Sequence, residues 1–312
     1  VTGLQVRRGN GDETIEAHNV VVSAGALHSP ALLMRSGIGP AFSLKKWGID
    51  CIVDLSGVGK NLQEHPGISL SASIKPSMRL GNSTRRHIHL GLRHSSGHPG
   101  GSVSDMFLMV AAKSAWHPLG RRIATMISWV NKVHSRGHVE LIGPDLAAEP
   151  TATFNFLKDA RDLERLADSV RLMARIYATQ ALSAAVDHVG PSSYSGFAKS
   201  LGRQTLRNYL ITAPAALVID AVSPARKWFF RNMVSGGVSL GDLLADRNAL
   251  ERYVRDHAFP QWHACGTCKL GSSDDPDAVV DPATGGVYGC DGLFVADASV
   301  MPTVPRANLN IP

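Results

Sequence analysis

The sequence predicts a mixed fold, α/β in one part and α+β in another. Two observations carry that expectation. A β-branched run, Val20-Val21-Val22, ends in the small residues Ser23-Ala24-Gly25-Ala26 and leads into a helical stretch, the strand–turn–helix order of an α/β unit. Further on, strand-like alternations at 139–141 and 151–156 are followed by a long amphipathic helix.

The elements follow in order. Residues 3–8 and 13–17 flank Gly9-Asn10-Gly11-Asp12, turn chemistry suited to a hairpin tip. After the valine strand, the helix has both ends written locally: Ser29 as N-cap, Pro30 at the first helical position, Leu32-Leu33-Met34 inside and Gly37 as terminator. A small-residue turn before a helix can set backbone N–H groups beside a phosphate, and it can equally be a plain β-α unit of a core. Residues 70–135 mix Ser, His, Gly and Arg with short apolar pieces and predict no definite elements. Asp159 then caps a helix whose Leu163, Leu166, Val170, Met173 and Tyr177 recur at spacings of three and four, an apolar stripe for core packing. The cluster Lys227-Trp228-Phe229-Phe230-Arg231 reads as a packed helix face with snorkelling ends in preference to a membrane-touching patch.

Composition excludes several classes. The chain has 312 residues, 44% hydrophobic and 19% charged, the balance of a soluble globular protein with a sizeable core. Its formal charge of +6 is spread over short groups such as Arg121-Arg122 and Arg226-Lys227, which gives no nucleic-acid footprint. Cysteines 51, 265, 268 and 290 are too few and too uneven for a secreted disulfide scaffold. A cytoplasmic setting is therefore expected, with a membrane-associated or periplasmic one open for a longer protein. There is no signal pattern at the start, and no apolar run approaches the roughly 18 residues of a membrane span.

One stretch concentrates chemistry: Gln261-Trp262-His263-Ala264-Cys265-Gly266-Thr267-Cys268-Lys269-Leu270-Gly271. A zinc site needs about four ligands, and Cys51 and Cys290 are isolated, so no metal is expected. A thiol redox pair would want Cys-x-x-Cys opening a helix, whereas Lys-Leu-Gly follows here. His263 alone reads either as a structural histidine or as a base. Elsewhere Gly57-Val58-Gly59-Lys60-Asn61 lacks phosphate-loop spacing, and no G-x-G-x-x-G occurs.

Three stretches in order resemble the glucose-methanol-choline family of flavin-dependent oxidoreductases. They are residues 25–40, with Ser29-Pro30 and Ser36-Gly37-Ile38-Gly39; residues 58–66, with Glu64 where the family usually has Asp; and Trp262-His263 through Gly266-Thr267 to residues 292–302 and Asn308-Leu309-Asn310. The resemblance implies part of a Rossmann-like FAD-binding domain (1–68 and 256–312) and an antiparallel-sheet substrate domain with helices (69–255). It implies oxidation of a small-molecule alcohol, with FAD taking the hydride and oxygen or a quinone-like acceptor left open. His263 would be the general base and Asn308 would stabilise the alkoxide. Ala24, Gly25, Ala26, Asp297, Ala298, Asn310 and Pro312 would line the cofactor. The family's amino-terminal G-x-G-x-x-G strand–turn–helix is not in this sequence, so a fragment inactive alone is expected. A hydroxynitrile lyase on the same scaffold and a cofactor-free interaction module are the rival expectations.

Overall fold

A computed structural model describes residues 1–310 apart from Asn10, Asn82, Ser83 and Arg85. The chain divides into two compact units. Residues 1–65, 132–159 and 260–312 form the first, and 66–131 with 160–259 form the second. Against the boundaries expected from sequence, residues 132–159 move into the first unit. Backbone pairing explains this: Leu62 and Gly137 exchange N–H···O bonds of 3.0 and 2.8 Å, and Val139 N–H donates to Gly59 O at 2.7 Å.

In the first unit, β1 (Gly3–Arg8) and β2 (Gly11–Glu16) form the expected hairpin, with Gly3 opposite Glu16. Strand β3 (Val20–Val22) pairs in parallel with the strand Leu293–Val295, Val20 facing Leu293. Helix α1 spans Gly25–Arg35, so it starts ahead of the local cap expected at Ser29. Its start is fixed from afar: Gly25 N–H donates to Asp297 Oδ2 at 2.8 Å. Ser29 sits inside the helix, where its Oγ accepts from Ala24 N–H at 3.0 Å and donates to Asp297 Oδ2 at 2.5 Å. Pro30, also interior, has no N–H to give the Ala26 carbonyl four residues back. Gly37, at φ +78°, turns the chain away just past the helix end.

Strand β4 (Ile38–Gly39) and helix α2 (Ala41–Lys46) follow, and β4 pairs in parallel with β5 (Val53–Asp54). Val22, Leu33, Met34, Leu44, Leu62, Val139, Val280 and Leu293 are among the residues of this unit's apolar core.

The second unit is an antiparallel sheet covered by helix. Its strands are β6 (Pro66–Ile74), β7 (Ile88–His94), β8 (Met106–Ala111) and β9 (Ile123–Val130), with β12 (Val186–Pro191) beyond β6, in the order β12-β6-β9-β8-β7. The intervening β10 (His138–Glu140) and β11 (Thr151–Thr153) pair with each other in the first unit, at the expected alternations. All nine residues of β6 are buried, including Ser69, Ser71 and Ser73. Ser71 Oγ lies 2.8 to 3.0 Å from the hydroxyls of Ser192, Tyr194 and Thr125, which explains how a serine row tolerates burial.

Helix α3 (Ala160–Tyr177) packs on β6 and β9 through the predicted stripe; Leu163, Leu166, Val170, Met173 and Tyr177 are all buried. On the same helix the buried Arg165 guanidinium meets Asp105 at 3.1 Å and Asp162 at 2.5 Å. Of the aromatic cluster, Trp228 is exposed and Phe230 buried. No described helix is long and apolar enough to cross a membrane.

Candidate active site

The site in the first unit is built from three chain segments that lack long elements of their own. Residues 61–65 run antiparallel to the segment after His263, with Gln63 and Cys265 exchanging N–H···O bonds of 2.9 and 3.0 Å. Two amide side chains then tie in residues 302–304. Asn61 Nδ2 donates to Gly266 O at 3.1 Å and Pro302 O at 3.2 Å. Gln63 Nε2 donates to Pro302 O at 3.1 Å, and its Oε1 accepts from Val304 N–H at 3.1 Å. Lys132 adds a charged anchor, donating to Thr303 Oγ1 at 3.1 Å and to the Val304 carbonyl.

The backbone around His263 is held at unusual dihedrals. Trp262, 83% exposed, takes φ +60°, and Gly266 takes φ +94°. A Cβ at Gly266 would stand 2.6 Å from Asn61 O, so only glycine permits this close approach. Thr267 Oγ1 donates to Ala26 O at 2.6 Å, the carbonyl that Pro30 leaves without its helical partner. The His263 segment is thereby fastened to the interior of α1.

Two histidines and a glutamate form the polar centre. His65 Nδ1 lies 3.0 Å from His263 Nδ1, with the rings edge-on at 76°. His65 Nε2 faces Pro305 O at 3.1 Å. The carboxylate of Glu64, 4% exposed, accepts His65 N–H at 2.7 Å on Oε1 and His263 N–H at 2.6 Å on Oε2. Burial pushes the Glu64 carboxyl up to about 7 despite backbone bonds from His65, His263 and Gln261. Burial also holds His263 below the ordinary imidazole value, which keeps it neutral near pH 7.

Glu64, His65 and His263 bring one ligand atom each within 4.8 Å of one another. Both carboxylate oxygens already accept N–H bonds and the two Nδ1 atoms bond each other, so this is a hydrogen-bonded network, one ligand short of a zinc cage among the described residues. Cys265 and Cys268 are fully buried free thiols, and burial pushes both up to about 12. Neither has the thiolate character that redox or metal chemistry needs.

Of the expected cofactor residues, Ala24, Gly25, Ala26, Asp297 and Ala298 lie at the carboxyl ends of β3 and its parallel partner, the side of such strands where ligands bind. Exposed Ala24 and part-exposed Gly25 face Ala296, Asp297 and Ala298 across that edge, and Ser23 Oγ donates to Ala296 O at 2.9 Å. A Cβ built on Gly25 meets nothing within 4 Å, which leaves room for a ligand against the backbone. The Gly25 N–H itself is taken by Asp297, and the Ala26 carbonyl by Thr267. Asn308 and Asn310 are exposed, and no hydrogen bond joins either to His263. Pro312 lies outside the described residues.

Sequence reasoning attached no role to Asn61, Gln63, Glu64, His65 or Lys132. Polar residues at 61, 63, 64 and 65 flanking a single core leucine were the available signal, since that density suits neither a surface strand nor a plain core strand.

Comparison with known proteins fixes the family. Residues 1–67 and 133–312 match the two parts described as GMC oxidoreductase. The chain belongs to the GMC oxidoreductase family. Among GMC relatives, it is 40% identical to the 5-(hydroxymethyl)furfural oxidase of Methylovorus sp. (strain MP688), over 100% of this chain and 51% of that protein. It is 31% identical to an oxygen-dependent choline dehydrogenase of Sinorhizobium fredii, over 100% of this chain and 52% of that one. The chain thus spans about half the length of the curated relatives it matches.

Solved structures of other oxidases give the same fold. A pyridoxine 4-oxidase from Mesorbium loti superposes with TM-score 0.72 at 24% identity, covering 98% of this chain and 51% of that one. A formate oxidase of Aspergillus oryzae RIB40, studied for its FAD modification, gives TM-score 0.73 at 21% identity over 98% and 54%. These likenesses bear out the mixed α/β and α+β architecture expected from sequence.

Proposed function

We propose that this chain carries the proton-handling part of an FAD-dependent enzyme that oxidises an alcohol to an aldehyde or ketone. The observation that carries the reading is the buried, neutral His263, held by bonds to its backbone and to one ring nitrogen while Nε2 makes no hydrogen bond within the described residues. A neutral imidazole fixed in this way suits removal of a hydroxyl proton near pH 7. FAD, when bound, would supply the two-electron acceptor for the hydride from the same carbon.

The remaining roles belong to this chain's own groups. Asn308 would donate its amide N–H to the developing alkoxide, stabilising negative charge without titrating. Ala24, Gly25 and Ala26, with Asp297, Ala298 and Asn310, would line the dinucleotide; the open small-residue edge beside Gly25 fits a flat or extended ligand. Glu64 would hold the His263 backbone. The alcohol-acting relatives support the substrate class, since the matched proteins are named for choline and 5-(hydroxymethyl)furfural.

The test is anaerobic flavin reduction by a panel of primary alcohols, followed by stopped-flow absorbance in FAD-loaded protein. His263→Ala should slow reduction by about 10²–10⁴-fold, the worth of general-base assistance. Near-normal reduction in that variant would remove His263 from the base role. Bound flavin that no alcohol bleaches would move the reading to a lyase on this scaffold.

A further inference from the structure

We propose that the helix Leu206–Ala221 and its basic flanks form a docking face for a bilayer containing anionic phospholipid. The inference goes beyond the proposed reaction and does not depend on it. All of the residues concerned lie in the second unit.

A helix with one side in water ordinarily divides its residues between an apolar and a polar face. This one does not. Ala216 and Ile219 pack in a small buried cluster with Leu119 and Leu201, and Thr212 is buried on the same side. On the opposite side Leu206, Leu210 and Leu217, at spacings of four and seven, are 74%, 61% and 68% exposed, with Val218 exposed beside them. From Asn208 to Ile219 no residue is charged. A helix apolar on all sides calls for an apolar environment on its outer face as well. Its 16 residues make it about 24 Å long, short of the roughly 30 Å hydrocarbon core, so it suits lying along a bilayer and not crossing it.

Charge selects the occupant. Between Asp187 and Asp242 the sequence places Lys199, Arg203, Arg207, Arg226, Lys227 and Arg231 against a single acid, Asp220. Asp220 is itself taken by Arg79 at 2.7 Å and Arg122 at 2.5 Å. Arg226 pairs with Asp187 at 2.5 Å, and the other five cations are exposed. Local bonds hold the flanks against the two ends of the helix. Asn208 Nδ2 donates to Ser200 O at 3.0 Å and to Arg203 O at 2.9 Å, and Arg226 Nε donates to Ile219 O at 2.9 Å. Trp228, 62% exposed, follows in the short helix Ser223–Phe229. Leucines between cationic ends, with an indole at one of them, are the side chains that enter the acyl boundary while their ammonium and guanidinium neighbours meet phosphate headgroups. A second copy of the chain would set the same five cations against these, the wrong sign of charge for a partner.

The experiment is sedimentation of the full-length, FAD-loaded protein with vesicles of phosphatidylcholine alone or of an equimolar mixture with phosphatidylglycerol, together with tryptophan emission. The expected result is binding to the mixed vesicles that weakens without the anionic lipid and at raised salt. Emission should shift to the blue on binding, and Trp228→Phe should lose that shift. Leu210→Ser combined with Leu217→Ser should weaken binding at least about tenfold, since two exposed apolar side chains no longer enter the acyl boundary. Arg203→Gln and Lys227→Gln should each weaken it by about fivefold on the mixed vesicles. The substituted side chains are exposed, and an unchanged unfolding midpoint verifies that each variant is folded. Absence of binding to the mixed vesicles overturns the proposal, the face then being covered by another part of the full-length chain or by a protein. Binding that the double leucine variant leaves unchanged also overturns it, by placing the contact on another basic surface. So does a concentration-dependent dimer that the double leucine variant abolishes, which would make the occupant a second copy.

Discussion

The Thr267 hydroxyl donates to the Ala26 carbonyl at 2.6 Å, occupying the acceptor that Pro30 cannot serve. A proline inside a helix normally leaves that carbonyl to solvent or to a kink. Here it becomes an attachment point between α1 and the segment bearing His263.

Thr267→Val keeps the shape and removes the donor. The buried Ala26 carbonyl is then unsatisfied, and stability should fall by about 1–3 kcal/mol. Thr267→Ser, which keeps the hydroxyl, should lose less. Urea unfolding of the two variants beside the parent checks the difference, and equal losses would show that the methyl group matters and the hydrogen bond does not.

Glu64 makes stability depend on pH in an unusual sense. Its carboxyl titrates near 4.5 when unfolded and at about 7 when folded, because burial disfavours the charge. The folded state thus holds a proton that the unfolded chain releases between those values. Its contribution is fully present below about pH 4.5, declines as pH rises and levels off above about 7, a total of roughly 3 kcal/mol. Other carboxylates slope the opposite way, so the measurable quantity is a difference: the unfolding midpoint of Glu64→Gln minus that of the parent should rise from acid to neutral pH. A flat difference would mean that Glu64 titrates alike in the folded and unfolded chain.

In the second unit, Arg165 joins Asp105 and Asp162 where all three side chains are at most 1% exposed. Removing the cation takes the counter-charge from two buried carboxylates, although Ser96 N–H and Oγ still donate to Asp105. Arg165→Met should cost about 3–5 kcal/mol, whereas replacing all three with apolar residues of similar volume should recover most of that loss. Thermal unfolding of the single and triple variants distinguishes the cases.

The four cysteines should separate by reactivity. Cys51 is exposed, while Cys265 and Cys268 are buried with thiols pushed up to about 12. A thiol reagent near neutral pH should label Cys51 first and leave the buried pair unmodified until denaturant is added, as mass spectrometry of digested protein would report. Early labelling of Cys265 or Cys268 would contradict their burial.

Local rules made some elements legible. The hairpin at Gly9–Asp12, the valine strand and the stripe from Leu163 to Tyr177 each declare themselves within a few residues, through turn chemistry or periodicity. The start of α1 was misread because its cap comes from Asp297, which no local pattern reaches. Strand β6 does alternate apolar and serine residues over 68–74, but the alternation suggests a solvent-facing serine row, whereas all nine residues are buried and Ser71 meets the hydroxyls of Thr125, Ser192 and Tyr194, partners that no local pattern shows. At the site, His263 was found through the family's motif order. Its neighbours Glu64 and His65 lay in a stretch already noted for that resemblance, yet their partnership with His263 is a tertiary fact.

The parallel pairing of Val20 with Leu293 also has a consequence for how the chain comes to be folded. One strand emerges near the start of this sequence and its partner nearly at the end, so the core they share cannot close until almost all of it has been synthesised. The second unit lies wholly between residues 66 and 259 and waits for nothing later. Its antiparallel sheet and α3 can consolidate before Leu293–Val295 is available to pair with β3. Contacts so distant in sequence raise the entropic cost of closing the first unit, a penalty that the locally connected second unit does not share.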